Sequence, residues 1–189
     1  DDFWSNIGLS EIEIYGEESD IEAAENKNHV NAAGVTAEAS TTEASSLPVS
    51  NIKDGNNQTR WASDYSEASK QTVTVTFPKV TLVKELDFDL HTRDVAPMPS
   101  NVKSFDLVYA DAAGTEHTVK ISNAKSTESG KTGYVTNVQH IFETPVYMKS
   151  FKMTNFDLQI DIEGQNGYNN ISILEVRAYS NDQSETPQG

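Results

Sequence analysis

The sequence predicts an all-β domain, either a β-sandwich or a barrel. Short stretches alternate apolar and polar residues with period two at near-regular spacing, clusters of Gly, Pro, Asn, Asp and Ser separate them, and a helical period is almost absent. At 189 residues the chain is one ordinary domain with some extra length. A domain of about 150 residues buries roughly 70% of its unfolded surface, so the core needs no covalent staples.

Taken in order, Ser5 to Gly16 lies without a gap on Asn169 to Ser180, with Asn6/Asn170, Ile7/Ile171, Glu11/Glu175 and Tyr15/Tyr179 coincident. The echo covers one strand only. Residues 1–16 are therefore expected to be the closing strand of a preceding, similar module, with an extra strand of this domain's own sheet as the alternative. Residues 17–29 turn acidic and polar, and with Ser19 as N-cap before Asp20 to Glu25 they read as a short helix or a linker. The domain proper is expected over residues 30–181, and residues 182–189 as a polar tail.

Within the domain, Val30 to Ser40 is rich in Val, Ala and Thr and predicts a strand, followed by a loop from Thr41 to Pro48. Gln71 to Phe77 sets Val73, Val75 and Phe77 on one face and Thr72, Thr74 and Thr76 on the other, the pattern of a half-buried strand. Glu85 to Arg93 repeats it, with Leu86, Phe88 and Leu90 inward and Asp87, Asp89, His91 and Arg93 outward. Pro97 and Pro99 make Asp94 to Asn101 a loop. Lys103 to Tyr109 puts Phe105, Leu107 and Tyr109 on one side, turns at Asp111 to Gly114, and returns through His117, Val119 and Ile121. Ser122 to Gly133 predicts an exposed connection. Val135 to Phe142 and Tyr147 to Asn155 predict strands, Asp161 to Asn170 a Gly-containing loop, and Ile171 to Tyr179 the last strand.

The bulk properties exclude several functions. With 14 Lys plus Arg against 29 Asp plus Glu, the formal charge of −15 repels phosphate backbones and anionic headgroups, so nucleic acid and membrane surfaces are not expected partners. Apolar runs fall far short of the ~20 residues that span a bilayer, and no signal peptide opens the sequence, which suggests a piece of a larger protein. Cysteine is absent, which removes disulfides and thiolate metal sites. The four histidines, His29, His91, His117 and His140, lie far apart with no metal-ligand spacing. Neither a phosphate-binding glycine loop nor a nucleophile elbow occurs, and no catalytic centre is expected.

The chemically densest stretch is Asn51 to Trp61. Asp54-Gly55 is a strong turn pair, Asp54, Asn56 and Thr59 carry side-chain oxygens, and so tight a loop turns backbone carbonyls inward, which suits a hard cation. Trp61 follows as a core anchor. Asp54-Gly55-Asn56 followed by Thr59-Arg60-Trp61 resembles the signature near the start of the discoidin, or coagulation factor V/VIII type C, fold. In bacterial proteins that fold is typical of family 32 carbohydrate-binding modules. Asn170 to Tyr179 is similar to the closing strand of the same family, and the resemblance covers roughly Val30 to Asn181. It implies a jelly-roll sandwich of about eight strands.

The resemblance also implies a structural calcium ion held by the carbonyl of Lys53, by Asp54, Asn56 and Thr59, by a carbonyl near Asn170, and by Glu175, tying the ends of the sandwich. On spacing alone the alternative is a turn whose Asp54 caps its own backbone, with Glu175 paired to Arg60. For a ligand, relatives that bind galactose carry an Arg and an Asn at positions like Arg93 and Asn101. His91 lies beside them, and Tyr65 and Tyr168 are the candidate stacking aromatics. Alternatively His91 and Arg93 form a solvated face paired with Asp87 and Asp89. The family thus implies a non-catalytic module of a secreted or surface bacterial protein, attached to a glycoside hydrolase and binding galactose, N-acetylgalactosamine or N-acetylglucosamine glycans. A protein-binding adhesion or spacer module is the competing expectation, since fold does not fix function.

Overall fold

A computed structural model describes residues 27–91, 100–126, 135–162, 165–166 and 169–183. The expectations for residues 1–16 and for most of 17–29 lie outside the described residues. So do Arg93 and Tyr168.

Among the described residues there are nine strands: β1 (Thr36–Ala39), β2 (Trp61–Ala62), β3 (Val73–His91), β4 (Asn101–Asp111), β5 (Glu116–Ser122), β6 (Val135–Gln159), β7 (Asp161–Ile162), β8 (Gln165–Asn166) and β9 (Ser172–Tyr179). Among the described residues the only helical turns are 3-10 turns at His29–Asn31, Val49–Lys53 and Ala68–Lys70. Seven strands form one antiparallel sheet in the order β2-β9-β3-β6-β4-β5, with β1 also on β3, and β7 pairs with β8 apart from it.

The sheet becomes a sandwich because β3 and β6 each serve both layers. The first part of β3 pairs with β1 and with the later part of β6, Val73 opposite Met153. The last part pairs with β9 and with the start of β6, His91 opposite Val135. Between them the register slips at Thr76/Thr81 and Val83/Glu85, where Pro78, Lys79 and Val80 are exposed. Proline fits a corner that makes no ladder bond. The two halves read from the sequence as separate strands, Gln71 to Phe77 and Glu85 to Arg93, are therefore one strand bent at that corner. The same holds for Val135 to Phe142 and Tyr147 to Asn155, which β6 unites. Asn155 does not end its strand: it adopts φ 50, a left-handed conformation that Asn tolerates. The register slips opposite it, between Ser104 and Asp106, and pairing resumes.

The apolar faces meet as the alternation requires. Val73, Val75, Phe77, Leu86, Phe88, Leu90, Phe105 and Leu107 are all buried, and Trp61 is fully so. Phe88 of one layer meets Phe105 of the other edge-to-face at 5.0 Å, a geometry that ring quadrupoles favour. Elsewhere the strand at Val30 to Ser40 shrinks to β1, the loop after Asp161 carries the β7–β8 pair, and Asn123 and Ser126 are buried in what the sequence marks as an exposed connection. Residues 127–134 of that connection lie outside the described residues.

The outer face of β3 departs most from expectation. Glu85, Asp87 and His91 are buried, although the alternation points them outward. Neighbouring segments cover them. The Gln183 amide donates to Glu85 Oε2 at 2.6 Å and Gln139 to Oε1 at 3.1 Å, and Arg177 on β9 lies 3.7 Å from Asp87. His91 rests 3.2 Å from the Ser172 hydroxyl.

Burial, together with the adjacent carboxylates of Asp87 and Asp182, pushes the Glu85 carboxyl up to about 7 from its ordinary 4.5. Arg177 and Tyr179 on β9 complete the ionisable surroundings. A carboxyl whose folded pKa is raised contributes its stability fully below the unfolded pKa and loses it as pH rises through about 7. Glu85→Gln keeps a neutral acceptor there. It is expected to melt roughly 5 °C above the parent at pH 8 and close to it at pH 5, at ~2–4 °C per kcal/mol for a chain of this size. Thermal melts across that pH range check it, and equal shifts at both ends would count against it.

Candidate functional site

The loop after the Val49–Lys53 turn is built by its own side chains. Gly55 sits at φ 74, and a Cβ there would come within 3.0 Å of Asn31 Nδ2, so the position calls for glycine. Asp54 Oδ1 accepts from the Asn56 amide at 2.8 Å, and Oδ2 accepts from the Thr59 hydroxyl at 2.7 Å. The Asn56 amide also donates to Glu175 Oε1 at 2.9 Å, across 119 residues of sequence. Asp54, Asn56, Thr59 and Glu175 are thus brought together, and Lys53 ends the helical turn that enters the loop. Beside them lies a cavity of about 560 Å³ whose walls include Asn28, Asn31, Asn56, Asn57, Glu175 and Arg177.

The electrostatics of this cluster are unbalanced. Glu175 is 3% exposed, and its Oε2 is buried with no hydrogen-bond partner. Burial first, and then the neighbouring Asp54, push its carboxyl up to about 7. Asp54 stays below its ordinary range, because the hydrogen bonds from Thr59 and Asn56 outweigh its burial. Arg60 does not neutralise Glu175: its Nε is itself buried without a partner. Arg177 is bound in a fork to Asp89 at 2.7 and 2.9 Å. Two carboxylates, one with an orphaned oxygen, beside hydroxyl and amide oxygens make a donor set that fits a hard, oxygen-seeking cation. The charge comes from those two groups alone, for among the described residues no three His, Cys, Asp or Glu side chains cluster as a metal site.

Asn170 is not brought to this loop. Its amide donates to Glu43 Oε2 and the Ser63 carbonyl, both at 3.3 Å, and its carbonyl accepts from the Ser100 hydroxyl at 3.5 Å. It sits five residues before Glu175, about 16 Å away along extended chain. Asn170 belongs instead to the end of the sandwich where β3 finishes and β4 and β9 begin.

At that end gather His91, Asn101 and Tyr65. His91 and Asn101 are lodged in the interior, where the sequence places them on an outward polar face and a loop. Asn101 donates to Thr136 Oγ1 at 3.3 Å and accepts from the Val102 amide at 2.8 Å, while Asn123 reaches the same threonine at 2.9 Å. Tyr65 is 50% exposed, and its hydroxyl donates to Glu43 Oε1 at 2.7 Å. The Glu43 carboxylate thus bridges Tyr65 and Asn170, and the Asn170 Oδ1 is buried without a partner. Asp89 is balanced by Arg177 from the adjacent strand rather than by His91. Sequence reasoning missed Glu43 and Ser63, which stand in no periodic pattern or motif, and Thr136 and Ser172, which lie in predicted strands but carry no functional signal of their own. A carboxylate in a loop between two strands carries no signal until the fold sets it beside Asn170.

The family model described as F5/8 type C domain matches residues 36–176. No curated protein matches in a sequence comparison. Among solved structures, the family 32 carbohydrate-binding module from C. perfringens NanJ in complex with galactose is similar. The identity is 21% and the TM-score 0.55, covering 77% of this chain and 93% of that one. Chitosan-binding module 1, from the chitosanase/glucanase of Paenibacillus sp. IK-5, matches at 18% identity and TM-score 0.54, covering 82% and 99%. The CBM32 of AlyQ in complex with 4,5-unsaturated mannuronic acid matches at 19% and 0.51, covering 77% and 95%. At these identities the likeness speaks for a shared sandwich.

Proposed function

The chain belongs to the F5/8 type C domain family, and from that premise we propose that it is a non-catalytic carbohydrate-binding module. It recognises neutral glycans of the galactose, N-acetylgalactosamine or N-acetylglucosamine type at the end of the sandwich that holds His91 and Tyr65. The observation that carries the reading is the half-exposed ring of Tyr65, hydrogen-bonded to Glu43 beside Asn170, with His91 and Asn101 behind it. A half-exposed ring beside fixed acceptors and amides suits a pyranose, which needs an apolar face to stack on and partners for its hydroxyls. The next residues after His91 lead to Arg93, whose planar fork suits adjacent hydroxyls.

The structural neighbours bind galactose, chitosan or a mannuronic acid unit, which supports a sugar ligand and leaves its identity to the loops. The charge of −15 weighs against acidic glycans for this chain. In the same reading the protein is secreted or held on a bacterial surface and accompanies a glycoside hydrolase. Binding near the substrate raises its effective concentration for the neighbouring enzyme. Calcium at Asp54, Asn56, Thr59 and Glu175, with the Lys53 carbonyl, acts as a structural tie. It offsets the two gathered carboxylates and joins the loop before β2 to β9.

Titration with galactose, N-acetylgalactosamine and N-acetylglucosamine tests the sugar reading. Arg93→Ala is expected to weaken the best of them about tenfold or more, whereas a spacer module would bind none and show no response to the substitution. For the ion, millimolar calcium is expected to raise the melting temperature by roughly 5–10 °C, the gain for a ligand at about a hundred times its Kd in a domain of this size. Chelation should reverse the rise, and Asp54→Ala should abolish it. A melting temperature indifferent to calcium would remove the ion from the account while leaving the sugar reading standing.

A further inference from the structure

At the opposite end of the strands a second groove lies open. The register places Asn101 of β4 beside Gln159 and Asp111, at the other end of the strand, beside Met148. At ~3.3 Å per residue the two ends are roughly 30 Å apart. Around Asp111 a groove of about 430 Å³ is walled by Tyr109, Asp111, His117, Thr144, Pro145 and Tyr147. Tyr147 is 57% exposed, the most exposed large apolar side chain among the described residues. His117 stacks on Tyr109 at 5.1 Å and 18° between planes, and Tyr109 meets Phe142 edge-on, also at 5.1 Å. The aromatic wall is therefore anchored in the core at Phe142, which is 6% exposed.

Its polar groups are held in fixed positions. Asp111 Oδ1 accepts from the amides of Ala113 and Thr115, both at 2.9 Å, which shapes the turn around Gly114 at φ 82. Asp111 Oδ2 lies 2.9 Å from His117 Nε2. The groove's single carboxylate thus faces its imidazole, and the rest of its lining carries no acidic side chain within a strongly acidic chain. Among the described residues, the hydroxyls of Tyr147 and Thr144 have no hydrogen-bond partner.

We propose that this groove is a second carbohydrate subsite, which takes one neutral hexopyranose unit against the rings of Tyr147, Tyr109 and His117. The proposal rests on the reading of the chain as a carbohydrate-binding module and adds a second, independent point of attachment. The exposed ring of Tyr147, beside His117 stacked on the half-buried Tyr109, offers a flat apolar face for the C–H side of the sugar, and the hydroxyls and the second ring nitrogen of His117 offer partners for its edges. Because the turn is already braced, little ordering cost attends binding. A second copy of the chain is a poor occupant: nine residues line the groove, against ~20–30 a side in a stable interface, and both surfaces would carry the same acidic field. Anionic lipid or uronate is disfavoured by the same charge. Two sites at opposite ends would let one module bridge two glycan chains and bind an insoluble polysaccharide by avidity.

The test is an NMR titration of the chain with galactose and N-acetylglucosamine, following aromatic and backbone resonances at both ends. The expected result is two separate sets of shifts, one around Tyr65 and one around Tyr147 and His117. Tyr147→Ala should weaken the second set by about tenfold without moving the first, Tyr147→Phe should retain it, and Arg93→Ala should affect only the first. Shifts confined to the Tyr65 end, or a Tyr147 set untouched by Tyr147→Ala, overturn the subsite and leave the primary reading intact. Tyr147 shifts that depend on protein concentration without sugar assign the groove to a second copy and overturn the proposal too. Silence at both ends with both sugars removes the subsite and the carbohydrate reading together.

Discussion

The pairing of β3 with β6 is the constraint on which the rest of the structure depends. The ladder runs from Val73 opposite Met153 to His91 opposite Val135, slipping register at the corner between layers and resuming beyond it. One bent two-stranded ribbon therefore supplies the centre of both layers. The other strands of the large sheet are added to it: β1 and β9, the latter carrying β2, on β3, and β4, carrying β5, on β6. The ribbon also decides which residues can meet. It sends His91 to one end with the starts of β4 and β9, and it leaves the β4–β5 turn and Tyr147 at the other.

The strands were legible because burial imposes a period of two that composition cannot hide. Val73, Val75 and Phe77, then Leu86, Phe88 and Leu90, lie in the core as their spacing demands. Continuity was not legible. A strand that bends between layers exposes its corner, and Pro78-Lys79-Val80 reads locally as a loop between two strands. Asn155 misleads in the same way, since a left-handed residue looks like a stop and here marks a bulge. The outer face of β3 went astray for another reason. Alternation identifies the side away from the core, but it is silent on what packs there, and Gln183, Arg177 and Ser172 arrive from far along the chain to cover Glu85, Asp87 and His91.

The site divides along the same line. The loop from Asp54 to Thr59 was legible because its turn chemistry is local: Asp54 caps the Asn56 amide and the Thr59 hydroxyl returns to Asp54. Its partner Glu175 came from the family's closing strand, and the structure brings it onto the same amide. Asn170 was assigned to the wrong end because a motif does not reveal where within a strand entry the contact falls. It stands at the end of the sandwich with Glu43 and Ser63, groups that no periodicity marks. Arg93 and Tyr168 keep their place in the reading through the resemblance alone.

The meeting of Asp54 and Glu175 differs from the other acidic contacts of the chain. Asp89 and Asp106 each face a basic side chain, at 2.7 and 2.9 Å respectively, so their charges are balanced on the spot. Glu175 has an amide on one oxygen, no donor on the other, and the Asp54 carboxylate beside it. Leaving a buried carboxylate oxygen unmet costs about 1–3 kcal/mol or more, a cost that an apolar residue at this position of β9 would not carry. A turn that merely capped itself would not need Glu175 at all. The Asn56 amide, donating to both carboxylates, holds them side by side, so the proposed cation would meet donors that the fold has already assembled.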